Sequence, residues 1–395
     1  MSNVRIGRLG DEHFQESMKL AQFAFQYTRT EQQLEEIRVR IEEEPSERWG
    51  VFVDGQLAAQ AAVLELSTYI GGKVFAMGGV AAVSTWPEHR RQGYVAKMLV
   101  HLLERMRERG QTVSFLSPFA FAFYRKYGWE TYTEHKTYTI QTRQLPVRKP
   151  YKGRFERLYD YNSLQALYET YASKFNGTLR RSELWWKHRI PMRKPGQIAV
   201  YRDSQGEAQG YLIYEVKEQQ LTVHEFVYLT SEAYEAIWSF IGQHDSMIEK
   251  VTMTVPMNDR LTDMIADPRI KQEIVPYFMA RIVDVEAFLG AYPFLASGSA
   301  DRVCLDITDE HAPWNNGCFE LLIGESGQAE AKRLTGERPV EETVKMGIGT
   351  LTSMLLSYRN ASDLSFLNRI GGDMEAINRL QNRIPERMTY LPDFF

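Results

Sequence analysis

Residues 80 to 106 limit the fold more than any other stretch. An apolar strand, Val80-Ala81-Ala82-Val83-Ser84-Thr85, passes through Trp86-Pro87 into a basic turn, Arg90-Arg91-Gln92-Gly93, that opens a helix. The helix is read from Val95, Leu99, Leu102, Leu103 and Met106 at 3.6-residue spacing, with Gly110 as its stop. Backbone N–H groups at a helix start lack intrahelical partners, and the helix dipole places partial positive charge there. Such a turn suits a pyrophosphate, because Gly93 allows close approach and Arg90 and Arg91 add charge. The spacing fits neither the Gly-x4-Gly-Lys-Ser/Thr loop nor the Gly-x-Gly-x-x-Gly fingerprint. A basic helix start with two solvated arginines is the alternative reading.

The surroundings are mixed α+β. Residues 12–27 and 31–43 read as amphipathic helices. Trp49–Val53 turns at Asp54-Gly55 into Leu57–Leu66, and Gly71-Gly72 leads into Val74–Thr85, as expected of an antiparallel meander. A short strand, Thr112–Leu116, and a helix, Phe119–Tyr127, follow, so a first domain is expected to end near residue 145. Beyond the connector Leu145–Pro150 the same order recurs: helix Leu164–Phe175, strands Ile198–Arg202, Gln209–Val216 and Leu221–Leu229, helix Glu232–Ile241, strand Val251–Val255. This second copy has Thr230-Ser231 where the first has its basic glycine turn. A third segment starts near Phe278. Strands are predicted near Val303–Ile307 and Cys318–Ile323 and helices over Val340–Ile348 and Leu351–Tyr358, and the segment closes with Met374–Gln381 and the aromatic end.

At about 150 residues per domain, 395 residues supply two or three cores. A composition of 44% hydrophobic and 25% charged residues is that of globular chains. The net charge of -4 gives no general attraction to nucleic acid or anionic lipid. Trp185-Trp186 beside Lys187-His188-Arg189 is an isolated aromatic-basic patch and reads as packing. Two cysteines, Cys304 and Cys318, make no disulfide framework, and His89, His101 and His188 have no partner at ligand spacing, so a reducing compartment and no metal are expected. Neither a signal peptide nor a membrane span is read after Met1-Ser2-Asn3, and a cytoplasmic protein is expected. The acidic run Glu31–Glu44 reads as a solvated helix face, or as a field that attracts a cation. The aromatic finish Leu391-Pro392-Asp393-Phe394-Phe395 is expected to dock rather than wave in water.

The turn Arg90-x-x-Gly93 between strand and helix resembles the pyrophosphate-binding signature of the GNAT superfamily of N-acetyltransferases, with Val95 where that superfamily prefers Gly or Ala. After Val113–Ser117, the phrase Phe123-Tyr124-Arg125-Lys126-Tyr127-Gly128-Trp129 looks like the aromatic signature of the same fold. With its tandem arrangement the chain is similar, over almost its whole length, to the Eis (enhanced intracellular survival) family of N-acetyltransferases. That resemblance implies an α+β fold of three domains: a GNAT acetyltransferase domain at 1–145, a degenerate GNAT-like copy at 146–283, and a sterol carrier protein 2-like domain at 284–395. It implies acetyl-CoA as co-substrate, contacted by Val83, Ser84, Thr85, Arg90, Arg91, Gln92, Gly93, Tyr94, Val95, Ala96, Phe119 and Ala120. The acceptor it implies is a cationic amine of an aminoglycoside, a polyamine or a lysine side chain, and the assembly a homo-oligomer, a hexamer in the family. Tyr124 would be the general acid and the α-carboxylate of Phe395 the base, so that chain length would be set by the reach of that carboxylate.

The chemistry is direct attack of a neutral amine on a thioester, without a covalent enzyme intermediate. Each positioned proton transfer contributes about 10²- to 10⁴-fold. A carboxylate of pKa ~3.5 is a weak base, so it acts through water or by favouring deprotonation of the bound ammonium. Backbone N–H groups near Val83 would polarise the thioester oxygen. The plainer reading of Tyr124 is a core aromatic among Phe119, Phe121, Phe123 and Tyr127. A reading from another class is a lipid or apolar-ligand binder with a vestigial CoA turn, against which stands the intact basic turn of the first copy.

Overall fold

The computed structural model describes residues 3–335 and 342–395. Two compact units are present: residues 1–132 with 278–386 and Phe395, and residues 133–277 with 387–394.

In chain order, the first unit opens with β1 (Val4–Arg8), α1 (Phe14–Phe25), α2 (Glu31–Glu43), β2 (Ser46–Val53), β3 (Gln56–Ile70), β4 (Lys73–Thr85), α3 (Tyr94–Glu108), β5 (Val113–Leu116), α4 (Phe121–Arg125) and β6 (Glu130–Thr131). The helix α2 starts with a capping box, in which the Thr30 side chain accepts from the Gln33 N–H while Gln33 reaches back to Thr30. Leu99, Leu102, Leu103 and Met106 of the stripe read from the sequence are buried with Met98, Val63, Val80 and Leu116, while Val95 is only partly buried.

The second unit contains β7 (Glu134–Gln141), β8 (Arg154–Leu158), α5 (Gln165–Ala172), a π-helical stretch Trp185–Arg189, α6 (Ile190–Arg193), β9 (Gln197–Arg202), β10 (Ala208–Lys217), β11 (Gln220–Tyr228), α7 (Ser231–Gly242), β12 (Lys250–Val255) and β13 (Lys271–Pro276). Its seven strands run β13-β7-β12-β11-β10-β9-β8. Trp185 and Trp186 are buried, as the packing reading expects. The segment Arg387–Phe394 belongs to this unit. Thr389 bridges to Asn176, and the buried Asp393 carboxylate accepts from Arg181 Nε at 3.1 Å, Trp185 Nε1 at 3.3 Å and Tyr168 Oη at 3.2 Å. Arg181 also forks onto Glu225, with Nη1–Oε1 at 2.9 Å and Nη2–Oε2 at 2.5 Å, and Lys194 donates to the same carboxylate.

The chain then returns to the first unit through β14 (Met279–Ile282), α8 (Val285–Ala291), β15 (Asp301–Thr308), β16 (Gly317–Ile323), β17 (Ala329–Arg333), β18 (Thr343–Gly347), α9 (Ile348–Leu355), α10 (Ala361–Phe366), β19 (Ile370–Gly372) and α11 (Met374–Asn382). A five-stranded sheet of order β17-β16-β15-β18-β19 forms the core of this part. The helix expected over Val340–Ile348 is corrected: Thr343–Gly347 is a strand, parallel to β15 and antiparallel to β19, with Val344 and Met346 buried on either side of exposed Lys345. Val340 itself lies outside the described residues, as do Met1 and Ser2.

The first sheet has the order β1-β2-β3-β4-β5-β14-β6. Residues 279–282 therefore insert between β5 and β6, pairing Met279 with Leu116 and with Thr131. Conversely β7, which the boundary at 145 assigned to the first domain, pairs in the second sheet with β12 and β13. The linear limits 145 and 283 thus do not coincide with the limits of the sheets. Pairing follows hydrogen-bond partners across the chain rather than chain order.

Candidate active site

The strand β4 shapes the site by two irregularities. Between Gln60 and Ala62 its register against β3 shifts, so that Ala82 and Val83 stand opposite Ala61, with Ala82 at φ 55. The parallel pairing with β5 runs from Met77↔Val113 to Val80↔Leu116 and stops, while β4 continues to Thr85. Past Val80 the two strands have no shared ladder, so a linear group can lie between them.

The turn after β4 presents the start of α3. Gly93 is its N-cap at φ 78, Arg91 stands at φ 63, and no protein atom lies within 4 Å of where a Cβ on Gly93 would sit. An open, left-handed glycine at the head of a 15-residue helix is the arrangement that lets phosphate oxygens reach helix-start N–H groups. Tyr94 Oη donates to Gln92 Oε1 at 2.7 Å, and Gln92 Nε2 donates to the Glu88 carbonyl at 3.0 Å, which ties the turn down.

A cavity of about 630 Å³ joins these features. Val83, Ser84, Thr85, Arg90, Arg91, Gly93, Tyr94, Val95, Ala96 and Phe119 line it. The other two expected contacts do not: Gln92 is engaged within the turn, and Ala120 is the N-cap of α4. Ala24 and Phe25 of α1, with His89, Phe123 and Tyr127, complete the wall. The sequence carried no local sign of Ala24 and Phe25, which reach the cavity from another helix, whereas Phe123 and Tyr127 lie within the aromatic signature.

Tyr124 does not line this cavity. It is 2% exposed, its ring edge-on to Phe119 at 5.3 Å and to Phe123 at 5.2 Å, both of which do line it. Burial pushes its phenol well above the ordinary value, so the hydroxyl stays protonated through the neutral range. Phe395 is buried too, with its ring 5.0 Å from that of Phe278. A Cβ on Gly79 would lie 2.8 Å from Phe395 Cε2. Gly79 pairs with Phe115, one step before the last rung of the β4–β5 ladder, so the ring of Phe395 rests beside the point where the strands part. Among the described residues no group of three or more His, Cys, Asp or Glu could hold a metal ion, and no helix is long and apolar enough to cross a membrane.

Comparison with known proteins defines the class. Residues 5–132 and 177–282 each match an acetyltransferase (GNAT) domain, and residues 285–392 match a sterol carrier protein domain. An uncharacterized N-acetyltransferase of Streptomyces avermitilis is 25% identical over 360 residues, covering 84% of each chain. The crystal structure of a conserved Enterococcus faecalis protein of unknown function has a TM-score of 0.92 at 29% identity and covers 100% of both chains. Eis1 from Mycobacterium abscessus shares the fold, with a TM-score of 0.81, 21% identity and 100% coverage of both. The chain is a GNAT N-acetyltransferase of Eis-like build: two GNAT domains, of which the second has no basic glycine turn, and a sterol carrier protein-like domain.

Proposed function

We propose that the first GNAT domain transfers acetyl from acetyl-CoA to a primary amine of a cationic acceptor, an aminoglycoside, a polyamine or a lysine side chain. The observation that carries this reading is the cavity walled jointly by the end of β4, the Arg90–Ala96 turn and the rings before and in α4. The fit to the co-substrate rests on Gly93, whose open left-handed backbone would be filled by any side chain. Acetyl-CoA supplies an activated thioester; everything else falls to this chain. The α3 start and Arg90 and Arg91 would hold the pyrophosphate, and the N–H groups at the β4 bulge would donate to the thioester oxygen. Tyr124 Oη, kept protonated by burial, would donate toward the departing sulfur. The α-carboxylate of Phe395 would accept the proton of the attacking amine, directly or through water. Aromatic faces of Phe25, Phe119, Phe123 and Tyr127 in the wall favour an ammonium-bearing acceptor. Assembly as a homo-oligomer is part of the same proposal and is read by light scattering.

The test is release of CoA thiol across a panel of aminoglycosides, polyamines and lysine peptides, with acetyl-CoA binding measured separately. Tyr124→Phe is expected to lower kcat by about 10²- to 10⁴-fold while acetyl-CoA still binds. A few residues appended after Phe395 should lower it comparably. Turnover of no amine, together with no CoA binding, would refute the reading; full activity of both variants would remove the acid and base roles.

A further inference from the structure

The two GNAT copies part their central strands in the same way and fill the opening differently. In the first, the β4–β5 ladder stops at Val80↔Leu116, and β4 bulges just beyond, at Ala82 and Val83. In the second, the parallel ladder of β11 with β12 runs from Gln220↔Lys250 to Val223↔Met253 and stops. There β11 bulges just beyond, at His224, before Glu225 pairs with Ile213. The helix start that follows is closed as well: the Thr230 side chain accepts from the Ala233 N–H, whereas Gly93 gives α3 no side-chain cap.

What enters the second opening is the end of the chain itself. Residues 390–394 wall one cavity together with 222–224 of β11 and 252–254 of β12. The segment is held along its length. Arg387 Nη1 donates to the Ser173 carbonyl at 2.7 Å, the Asn176 N–H to the Met388 carbonyl at 2.9 Å, and the Tyr390 N–H to the Asn176 carbonyl at 3.0 Å. At Asp393 both backbone and side chain are gripped. Tyr277 Oη donates to its carbonyl at 3.0 Å, and its buried carboxylate lies 2.9 Å from Arg181 Nη2 and accepts from Tyr168 and Trp185. Glu225, the first residue past the bulge, is joined to the same Arg181 and to Lys194, which is 3.8 Å from Asp393. Two cations and two carboxylates thus close on one another.

Apolar packing would hold a loose end without taking four charges out of water. Charge-assisted hydrogen bonds to a planar guanidinium add a direction that apolar contact lacks. Asp393 is two residues from the end of the chain, and two residues span at most about 7 Å. We infer that the second copy serves as an anchor for the last residues of the chain, and that Asp393, gripped by Arg181, Tyr168 and Trp185, is a positioning residue that fixes where the α-carboxylate of Phe395 stands. This rests on the reading of that carboxylate as the base.

Release of Phe395 by carboxypeptidase A reads the anchor without reference to acetyl transfer, and steady-state kinetics read the carboxylate. Asp393→Asn alone leaves one cation in excess in the core, so it is combined with Lys194→Met, which keeps Arg181 opposite Glu225 with the charges balanced. The double variant is expected to melt cooperatively, to bind acetyl-CoA as the parent does, to release Phe395 at least about tenfold faster and to lose about 10- to 100-fold in kcat. Tyr168→Phe takes one donor from Asp393 without changing charge and should move both readouts in the same direction by about threefold or more; it decides the matter if the double variant does not fold. Unchanged release of Phe395 in a folded variant overturns the anchor. Faster release with wild-type kcat overturns the positioning role: if a chain extended beyond Phe395 also keeps full activity, the fault lies with Phe395 as base, and if the extended chain is inactive, it lies with Asp393.

Discussion

Two single residues carry sharp consequences. The Cβ of Gly79→Ala would sit 2.8 Å from both Phe395 Cε2 and Leu66 Cδ1, closer than real contacts allow. The ring of Phe395 must move, at a cost of about 1–3 kcal/mol for overpacking. Steady-state kinetics are expected to show kcat reduced by about tenfold or more, with acetyl-CoA affinity unchanged; an unaltered kcat would detach Phe395 from the reaction. Glu225 is the second. Burial alone would raise its carboxyl, but the charges of Arg181 and Lys194 and their hydrogen bonds outweigh this and hold it well below the usual range. A depressed carboxyl contributes stability that is complete above its unfolded pKa of ~4.3 and is lost as pH falls below that toward the folded value. Thermal melts should therefore lose stability steeply below about pH 4 in the native chain, and Glu225→Gln should flatten that slope while costing about 3–5 kcal/mol at pH 7. The sequence announced the cavity residues between Val83 and Ala96 because one short stretch contains them. It gave no sign of Glu225 with Arg181 and Asp393, whose meeting depends on packing across 44 and 212 positions.

Among the elements, β4, the turn and α3 were readable because their periods differ cleanly and a proline and a glycine mark the joints. The turn also bears its own test. Gly93→Ala meets no atom, so its cost is conformational, about 1–2 kcal/mol for a left-handed residue. Acetyl-CoA affinity is expected to drop by about tenfold, while the melting temperature moves by only about 2–4 °C per kcal/mol; equal affinity would show that the helix start does not hold the phosphates. The strand β18 was misread for a physical reason. Val344 and Met346 satisfy either period over so short a run, and its extended form comes from partners on both sides. β1 went unread because Val4–Arg8 is a largely exposed strand that, among the described residues, pairs with β2 alone.

At the scale of the molecule, two copies of one order of elements were legible in the sequence, but the exchange of strands was not. Pairing of residues 113–116 with 279–282 leaves no mark in either segment. A fragment of residues 1–145 would lack the partner of both β5 and β6, and it would carry β7 without a sheet to join. Circular dichroism of that fragment is expected to show no cooperative melt, in contrast to the full chain; a sharp two-state transition would contradict this. The sterol carrier protein-like part is tied into the same unit by Arg369 to Glu130 at 2.6 Å and by buried Arg281 on Asp309, so its removal would strand a charge in the core. The position of β14 also sets a schedule. At about 5–20 residues per second, a ribosome needs on the order of ten seconds to go from residue 145 to residue 282, and throughout that interval β5 has β4 beside it but no second neighbour. Chaperones that shield nascent sheet edges should therefore engage this chain early and leave only after its second domain has been translated.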